Sequence, residues 1–175
     1  MVERVRQMAA LAGWLLAFWS GLLQAEPLVA SGLEELGDRS LSEAIVAYYA
    51  AEKAHDWQTT YALRGARFAA TVPFDSYVRQ MEIDASGWEW VAIDGRSVLT
   101  EGALANVTLS FQEDLSVDVA HRLLGAELAS TAQPGRGQRY SQSEVTQWVL
   151  ADGQWLVLTP GARQHFVFNE RMVWD

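Results

Sequence analysis

Apolar positions along this chain keep a helical spacing from Leu41 to Met81 and a strand spacing beyond Gly87. In the first part, Leu41, Ile45, Tyr48 and Tyr49 form a stripe at i, i+4, i+7 and i+8, which predicts an amphipathic helix facing a core. Ser40-Leu41-Ser42-Glu43 has the form of a capping box, with Ser40 as the cap and Glu43 reaching back to it. This helix should end near His55, where Asp56 can cap a second helix running from Trp57 through Tyr61 and Leu63. Gly65 loosens the end of that second helix. Pro73 suits the first turn of a third, with Asp75 near its positive end and Phe74, Tyr77, Val78 and Met81 as its buried stripe. Before all of this, residues 26–39 are interrupted by Gly32 and Gly37 and read as a leader or short capping helix.

The second part is built of strands. Trp88 to Thr100 is rich in strand formers and is broken once, at Asp94-Gly95, by either a hairpin turn or a bulge. After a turn at Glu101-Gly102, Ala105, Val107, Leu109 and Phe111 alternate with Asn106, Thr108 and Ser110, the mark of a half-buried strand. Val117, His121, Leu124 and Leu128 fit a helical stripe, so residues 112–139 read as an insertion that carries a helix and then the exposed loop Thr131–Gly137. The strongest single signal follows: two strand-forming runs flank Asp152-Gly153 between Thr146 and Leu158. With those two residues as the turn, Leu150 lies opposite Trp155 and Trp148 opposite Val157, all on one face. Val149, Leu156 and Leu158 share the other. A hairpin apolar on both faces needs cover on both. A last short strand is expected at His165–Phe168, before the tail Met172-Val173-Trp174.

Composition then narrows the picture. Arg4 and Arg6 precede an apolar run from Met8 to Leu23, and Leu-Gln-Ala leads to small Ala25 before Glu26. This is the layout of a secretory signal peptide cleaved after Ala25, and the run is short against the roughly 20 residues of a membrane span. The expectation is an exported, periplasmic or secreted protein with no stable membrane insertion after cleavage; an uncleaved anchor is the competing reading. The chain lacks cysteine, which excludes lipid attachment through an N-terminal cysteine and leaves the fold to its core rather than to disulfides. Losing Glu3, Arg4 and Arg6 takes the formal charge from −9 to −10. That balance, with scattered arginines, argues against nucleic acid as a partner. His55, His121 and His165 are widely spaced and form no metal-binding pattern, no phosphate loop or nucleophile elbow is present, and no metal or cofactor is expected. Asn106-Val107-Thr108 matches a glycosylation acceptor by chance in mid-strand.

Helices followed by antiparallel strands predict an α+β fold, three N-terminal helices on a curved sheet. Four pieces resemble the nuclear transport factor 2-like superfamily, the SnoaL-like α+β cone. They are Ala47-Tyr48-Tyr49, His55-Asp56-Trp57, Pro73-Phe74-Asp75-Ser76-Tyr77-Val78 and Trp148-Val149-Leu150-Ala151-Asp152-Gly153-Gln154-Trp155. They span Ser40 to Leu158 of a single domain, 40–175. The resemblance implies a cavity between helices and sheet, used by some members for isomerase or dehydratase chemistry and by others for binding or self-assembly. Fold alone does not choose among these.

An enzyme of this type needs a general base and an oxyanion donor at the cavity wall. Tyr48 or Tyr49 is the candidate donor, as the resemblance implies, but the strand face Ala105–Phe111 offers no carboxylate. Tyr49, Tyr77, Met81, Trp90 and Phe111 are the candidate cavity walls, suited to a small apolar ligand. The reading favoured by the sequence is therefore an exported, non-catalytic binding or assembly protein that forms a homodimer through its sheet face. The alternative is an isomerase or dehydratase of a hydrophobic ring substrate. A buried Asp, Glu or His beside a cavity tyrosine would favour the enzyme; an interior filled by tryptophan would oppose it.

Overall fold

The computed structural model describes residues 27–124, 138–161, 167–168 and 171–172; of residues 121, 123, 124 and those after 161 it describes the backbone alone. The fold is α+β, with helices covering one face of a curved, mainly antiparallel sheet. The chain enters through β1 (Val29–Ser31) and a 3-10 turn (Glu34–Leu36). Then come α1 (Arg39–Lys53), α2 (Trp57–Leu63), α3 (Ala66–Thr71) and α4 (Phe74–Ala85). Next are β2 (Trp88–Glu101), β3 (Leu104–Leu115), α5 (Val117–Leu124), β4 (Gln138–Ala151) and β5 (Gln154–Thr159). Two-residue strands β6 (Val167–Phe168) and β7 (Arg171–Met172) pair with each other. The main sheet runs β1-β2-β3-β4-β5, with β1 parallel to β2 and every other pair antiparallel.

The helices form where the spacing places them, with two changes at their starts. Asp38, not Ser40, caps α1: its carboxylate accepts the Leu41 N–H at 3.0 Å, and the Ser40 hydroxyl donates to the same oxygen at 2.7 Å. Glu43 is accordingly free of any cap role and pairs with Arg39 at 2.8 Å. An aspartate two residues earlier satisfies the first-turn donors and favours the positive helix end more strongly than a hydroxyl. Asp56 caps α2 as expected, accepting from Thr59 N–H at 3.1 Å, after a left-handed turn at His55. Gly65 does not merely loosen α2; at φ 86° it starts the extra helix α3, so four helices rather than three precede β2. In the stripe of α4, Tyr77 and Met81 are buried, but Phe74 stays exposed.

In the sheet, Asp94-Gly95 is not a hairpin turn but a paired part of one long strand, opposite Ser110 and Leu109. The bulges flank it, with register shifts between Trp90 and Ala92 and between Gly95 and Ser97. The first shift lets Trp90 and Ile93, three residues apart, both face the helices. β3 runs to Leu115, so the segment leading to β4 begins at Ser116 rather than Gln112. Asp152 (φ 51°) and Gly153 (φ 79°) form the type I′ turn that an Asp-Gly hairpin requires. Leu150 pairs with Trp155 and Trp148 with Val157, the register read from sequence. The leader carries β1 because Gly32 lies against Gly95: a Cβ on either glycine would collide with the backbone oxygen of the other.

The core lies between the sheet and α1, where Leu41, Ile45, Tyr48 and Tyr49 meet Trp90, Ile93, Val107, Leu109, Phe111, Trp148, Trp155 and Val157. A second cluster joins α2, α3 and α4 through Trp57, Phe68, Val72, Tyr77 and Met81. No helix among the described residues is long and apolar enough to cross a membrane.

Candidate functional site

The space between α1 and the sheet is occupied by rings. Tyr49 meets Trp90 edge-on at 5.5 Å and Phe111 at 5.2 Å, and Trp90 lies 4.7 Å from Phe111 and from Trp88. Tyr48, one residue along α1, meets Tyr49 at 5.2 Å and Trp148 at 6.1 Å, both at right angles. Of the five candidate cavity walls, Tyr49, Trp90 and Phe111 are thus in mutual contact. Tyr77 and Met81 belong to the helical cluster beside them. Edge-to-face pairs of this kind gain about 0.5–1.5 kcal/mol each beyond area burial, so the arrangement favours closure. At the seam where α1 and α4 meet β2, a crevice lined by Glu52, Lys53, Trp57, Met81, Trp88 and Trp90 has a volume of about 10 Å³. That admits one water at most.

The tyrosine hydroxyls are engaged. Tyr49 Oη donates to the Pro160 carbonyl, and Tyr77 Oη donates to Thr60 Oγ1 at 2.9 Å while also bonding Tyr48. Burial holds the Tyr48 and Tyr49 phenols well above their ordinary titration range, and the negative field of Glu52 adds to this. Burial also raises Tyr77. All three are neutral donors at any physiological pH.

Two carboxylates share this interior, and both escape a reading by sequence. Glu52 lies one helical turn after Tyr48 on α1, is buried, and accepts Trp90 Nε1–H at 2.6 Å. Glu113 sits opposite Trp90 on β3, fully buried, and accepts the Gln142 amide at 2.7 Å. The expectation that the strand offers no inward carboxylate is therefore corrected. The alternation Ala105, Val107, Leu109, Phe111 continues by two residues to Glu113 and then to Leu115. Carrying period 2 past Phe111 would have found it. Lys53 completes the seam, donating to the Trp90 carbonyl at 2.6 Å and pairing with Glu89 at 3.3 Å. Trp90 is thus held at its indole by Glu52 and at its backbone by Lys53.

His55 stacks on Trp57 at 5.0 Å, and Asp56 serves as a helix cap, so His55-Asp56-Trp57 acts as a junction. His165 and the His121 side chain lie outside the described residues. Among the described residues, no three His, Asp or Glu side chains are grouped to hold a metal ion.

The outer face of the sheet contrasts with this interior. Outward positions form rows across β2, β3 and β4, among them Ala92–Gln112–Ser141, Asp94–Ser110–Ser143, Ser97–Thr108–Val145 and Leu99–Asn106–Gln147, with Leu104 beside Val149. Leu99 is 70% exposed, Val145 55% and Leu104 47%. Charge in the four full rows is confined to Asp94, whose neighbour Arg96 pairs with it at 2.9 Å, and exposed Glu101 stands opposite Leu104.

No protein-family model matches the chain, and no curated protein matches it. Solved structures with similarity include a SEC-C motif containing protein from Rhodopseudomonas palustris (15% identity, TM-score 0.47, 67% of this chain and 74% of that one). TsrD from Streptomyces laurentii aligns at 17% identity and TM-score 0.42, over 68% of this chain and 85% of its own. A candidate polyketide cyclase from Pseudomonas putida aligns at 16% identity and TM-score 0.40, over 68% and 88%. Likeness at this level assigns neither substrate nor activity.

Proposed function

We propose that this chain is an exported, non-catalytic binding or assembly protein of the nuclear transport factor 2-like class, which pairs with a second copy through the outer face of its sheet. The observation that carries the reading is the filled interior: Trp90 and its ring neighbours occupy the volume in which a substrate would sit. Recognition then falls to the outside. There, Leu99, Leu104 and Val145 project beside half-buried Val149 and Leu156, the outward side of the Asp152-Gly153 hairpin. A chain of formal charge −9 resists self-association through most of its surface. The Leu99 and Val145 rows are uncharged, with Glu101 opposite Leu104 at their edge, and two copies can meet on those rows with little like-charge repulsion. Light scattering at micromolar concentration should report a dimer mass, and Leu99→Glu should return the monomer while leaving the circular dichroism unchanged. A monomeric mass for the unaltered protein refutes the pairing. Export is checked by sequencing the N-terminus of protein from the cell envelope, where Glu26 should come first and retained Met1 would count against it.

A second reading has its own support in Glu52. This carboxylate lies beside Tyr48 and Tyr49, the pairing of base and donor that a ring isomerase or dehydratase uses. It operates only if Trp90 leaves Glu52. Deuterium exchange at the carbon next to a cyclic ketone, abolished by Glu52→Gln, would establish this reading; exchange at the buffer rate excludes it for that ketone.

A further inference from the structure

The outer face of the sheet is not uniform, and its second half holds a trough of about 520 Å³, within the size range of small-molecule sites. It spans four strands because β1 adds a position to each of two rows: Val29 beside Ala92, and Ser31 beside Asp94. The floor is low because Ala92, Ser110, Ser141 and Ser143 are small. The two bulges of β2 bracket it, bending the sheet around residues 92–95.

The trough is wired by a continuous set of hydrogen bonds. Ser31 Oγ donates to Asp94 Oδ1 at 2.9 Å, and Arg96 Nη2 meets Asp94 Oδ2 at 2.9 Å. Arg96 Nε then donates to Ser110 Oγ at 3.0 Å, and Ser110 shares a proton with Ser143 at 2.7 Å. The guanidinium is thereby fixed in plane by two partners from different strands, although it remains 58% exposed. Two of its five N–H groups are used in these bonds, and the others are available to the trough.

This combination selects a ligand class. Arg96 alone would suit an anion, but Asp94 on the same guanidinium cancels its charge, and the chain as a whole is acidic. The rings nearby, Phe111 among them, point into the core, so none is free to stack on an aromatic ligand, and exposed Val29 adds an apolar contact at the β1 edge. Serine hydroxyls and the Gln112 amide donate and accept at once, as the hydroxyls of a polyol do. We infer that the trough between Ser31, Asp94, Arg96, Ser110 and Ser143 is a binding site for a neutral, polyhydroxylated ligand of the saccharide class. It lies beside, not on, the Leu99–Val145 patch, and it does not depend on the pairing proposed above.

The test is a titration of the ¹⁵N-labelled full protein, followed by amide shifts. The probes are maltotriose and the β-1,4-linked N-acetylglucosamine trimer, with inorganic phosphate and acetate as anion probes. One of the saccharides should shift the amides of residues 92–96, 110–112 and 141–143 saturably. Arg96→Met, which removes the charged donor, and Ser143→Leu, which fills the floor, should each weaken binding by about tenfold or more. No saturable shift from either saccharide overturns the assignment. So does a response to the anions alone, or saccharide binding that Ser143→Leu leaves intact. Ser143→Leu alters one outward position, so the proposal stays testable if Arg96→Met fails to fold.

Discussion

Replacing Trp90 tests the closed interior directly. Its indole is 4% exposed, touches Tyr49, Trp88 and Phe111, and donates to buried Glu52 at 2.6 Å. Trp90→Phe keeps a ring in place but deletes that donor. A hydrogen bond to a charged group is worth about 1.5–3 kcal/mol, and the smaller ring forfeits about 1 kcal/mol of packing. The sum, roughly 2–4 kcal/mol, corresponds in a domain of this size to a fall in Tm of roughly 5–15 °C. Trp90→Ala adds a cavity, at about 3–5 kcal/mol for the truncation, and comes close to the 5–15 kcal/mol that holds a typical domain together. Urea unfolding followed by far-ultraviolet circular dichroism measures both, and crossing Trp90→Phe with Glu52→Gln isolates the coupling. A Trp90→Phe variant within about 0.5 kcal/mol of the unaltered protein would refute the argument. So would a Trp90→Ala variant that stays fully folded and takes up an apolar ring compound, since Trp90 would then be a plug in a ready-made cavity.

Three further outcomes follow from single contacts. Asp38→Ala should cost about 1 kcal/mol by removing the α1 cap. The backbone N–H of Leu41 and the Ser40 hydroxyl hold the Asp38 carboxyl below its ordinary range; its stabilisation is therefore complete above the unfolded pKa of about 3.9 and lost as pH falls through the lower folded value, a loss that a pH series on Asp38→Ala should lack. Gly153→Val, forced to φ 79° at the hairpin turn, should lower stability by about 1–2 kcal/mol by chemical denaturation, whereas the same change at an exposed strand position should not. Tyr48 and Tyr49 are raised well above 10.0 by burial, so stability should hold up to that pH and fall as pH rises beyond it. Tyrosinate absorbance should show at least these two rings ionising only as the protein unfolds; smooth titration with the exposed rings would contradict the packed interior.

Much of the fold was legible because it depends on local pattern. The hairpin at Asp152-Gly153 has the register that its turn chemistry demands, and Ala105 to Phe111 face inward as their alternation requires. What escaped depends on pairing at long range. β1 is three exposed residues with no periodicity, and it exists because Gly32 fits against Gly95, more than sixty positions away. Glu113 escaped for a different reason: a carboxylate halts an apolar count, although its burial is fixed by the strand's phase and met by Gln142. Glu52 likewise sits outside an apolar stripe, yet it points inward because it lies four residues after Tyr48. The ring contacts that close the interior join α1, β2 and β3, and no spacing along the chain reports them.

The bulges of β2 link the closed interior to the divided outer face. A strand in strict alternation would send Trp88, Trp90 and Ala92 inward and leave Ile93 outside. The shift after Trp90 turns Ile93 inward instead and sends Ala92 to the outer face, where its small side chain becomes floor. The second shift, after Gly95, brings Arg96 to the trough and lets the strand resume its alternation at Ser97, so that Leu99 emerges outward beside Asn106. One irregular stretch of five residues therefore packs rings on the helix side, opens a polar trough on the other, and starts the apolar patch beyond it. Bulges cost ladder hydrogen bonds, and the first offsets that cost in the core by turning Ile93 toward the helices, whereas the second brings Arg96 and Leu99 to the outer face. Their position, between the filled interior and the two outward surfaces, supports the proposal that recognition falls to the outside of this sheet.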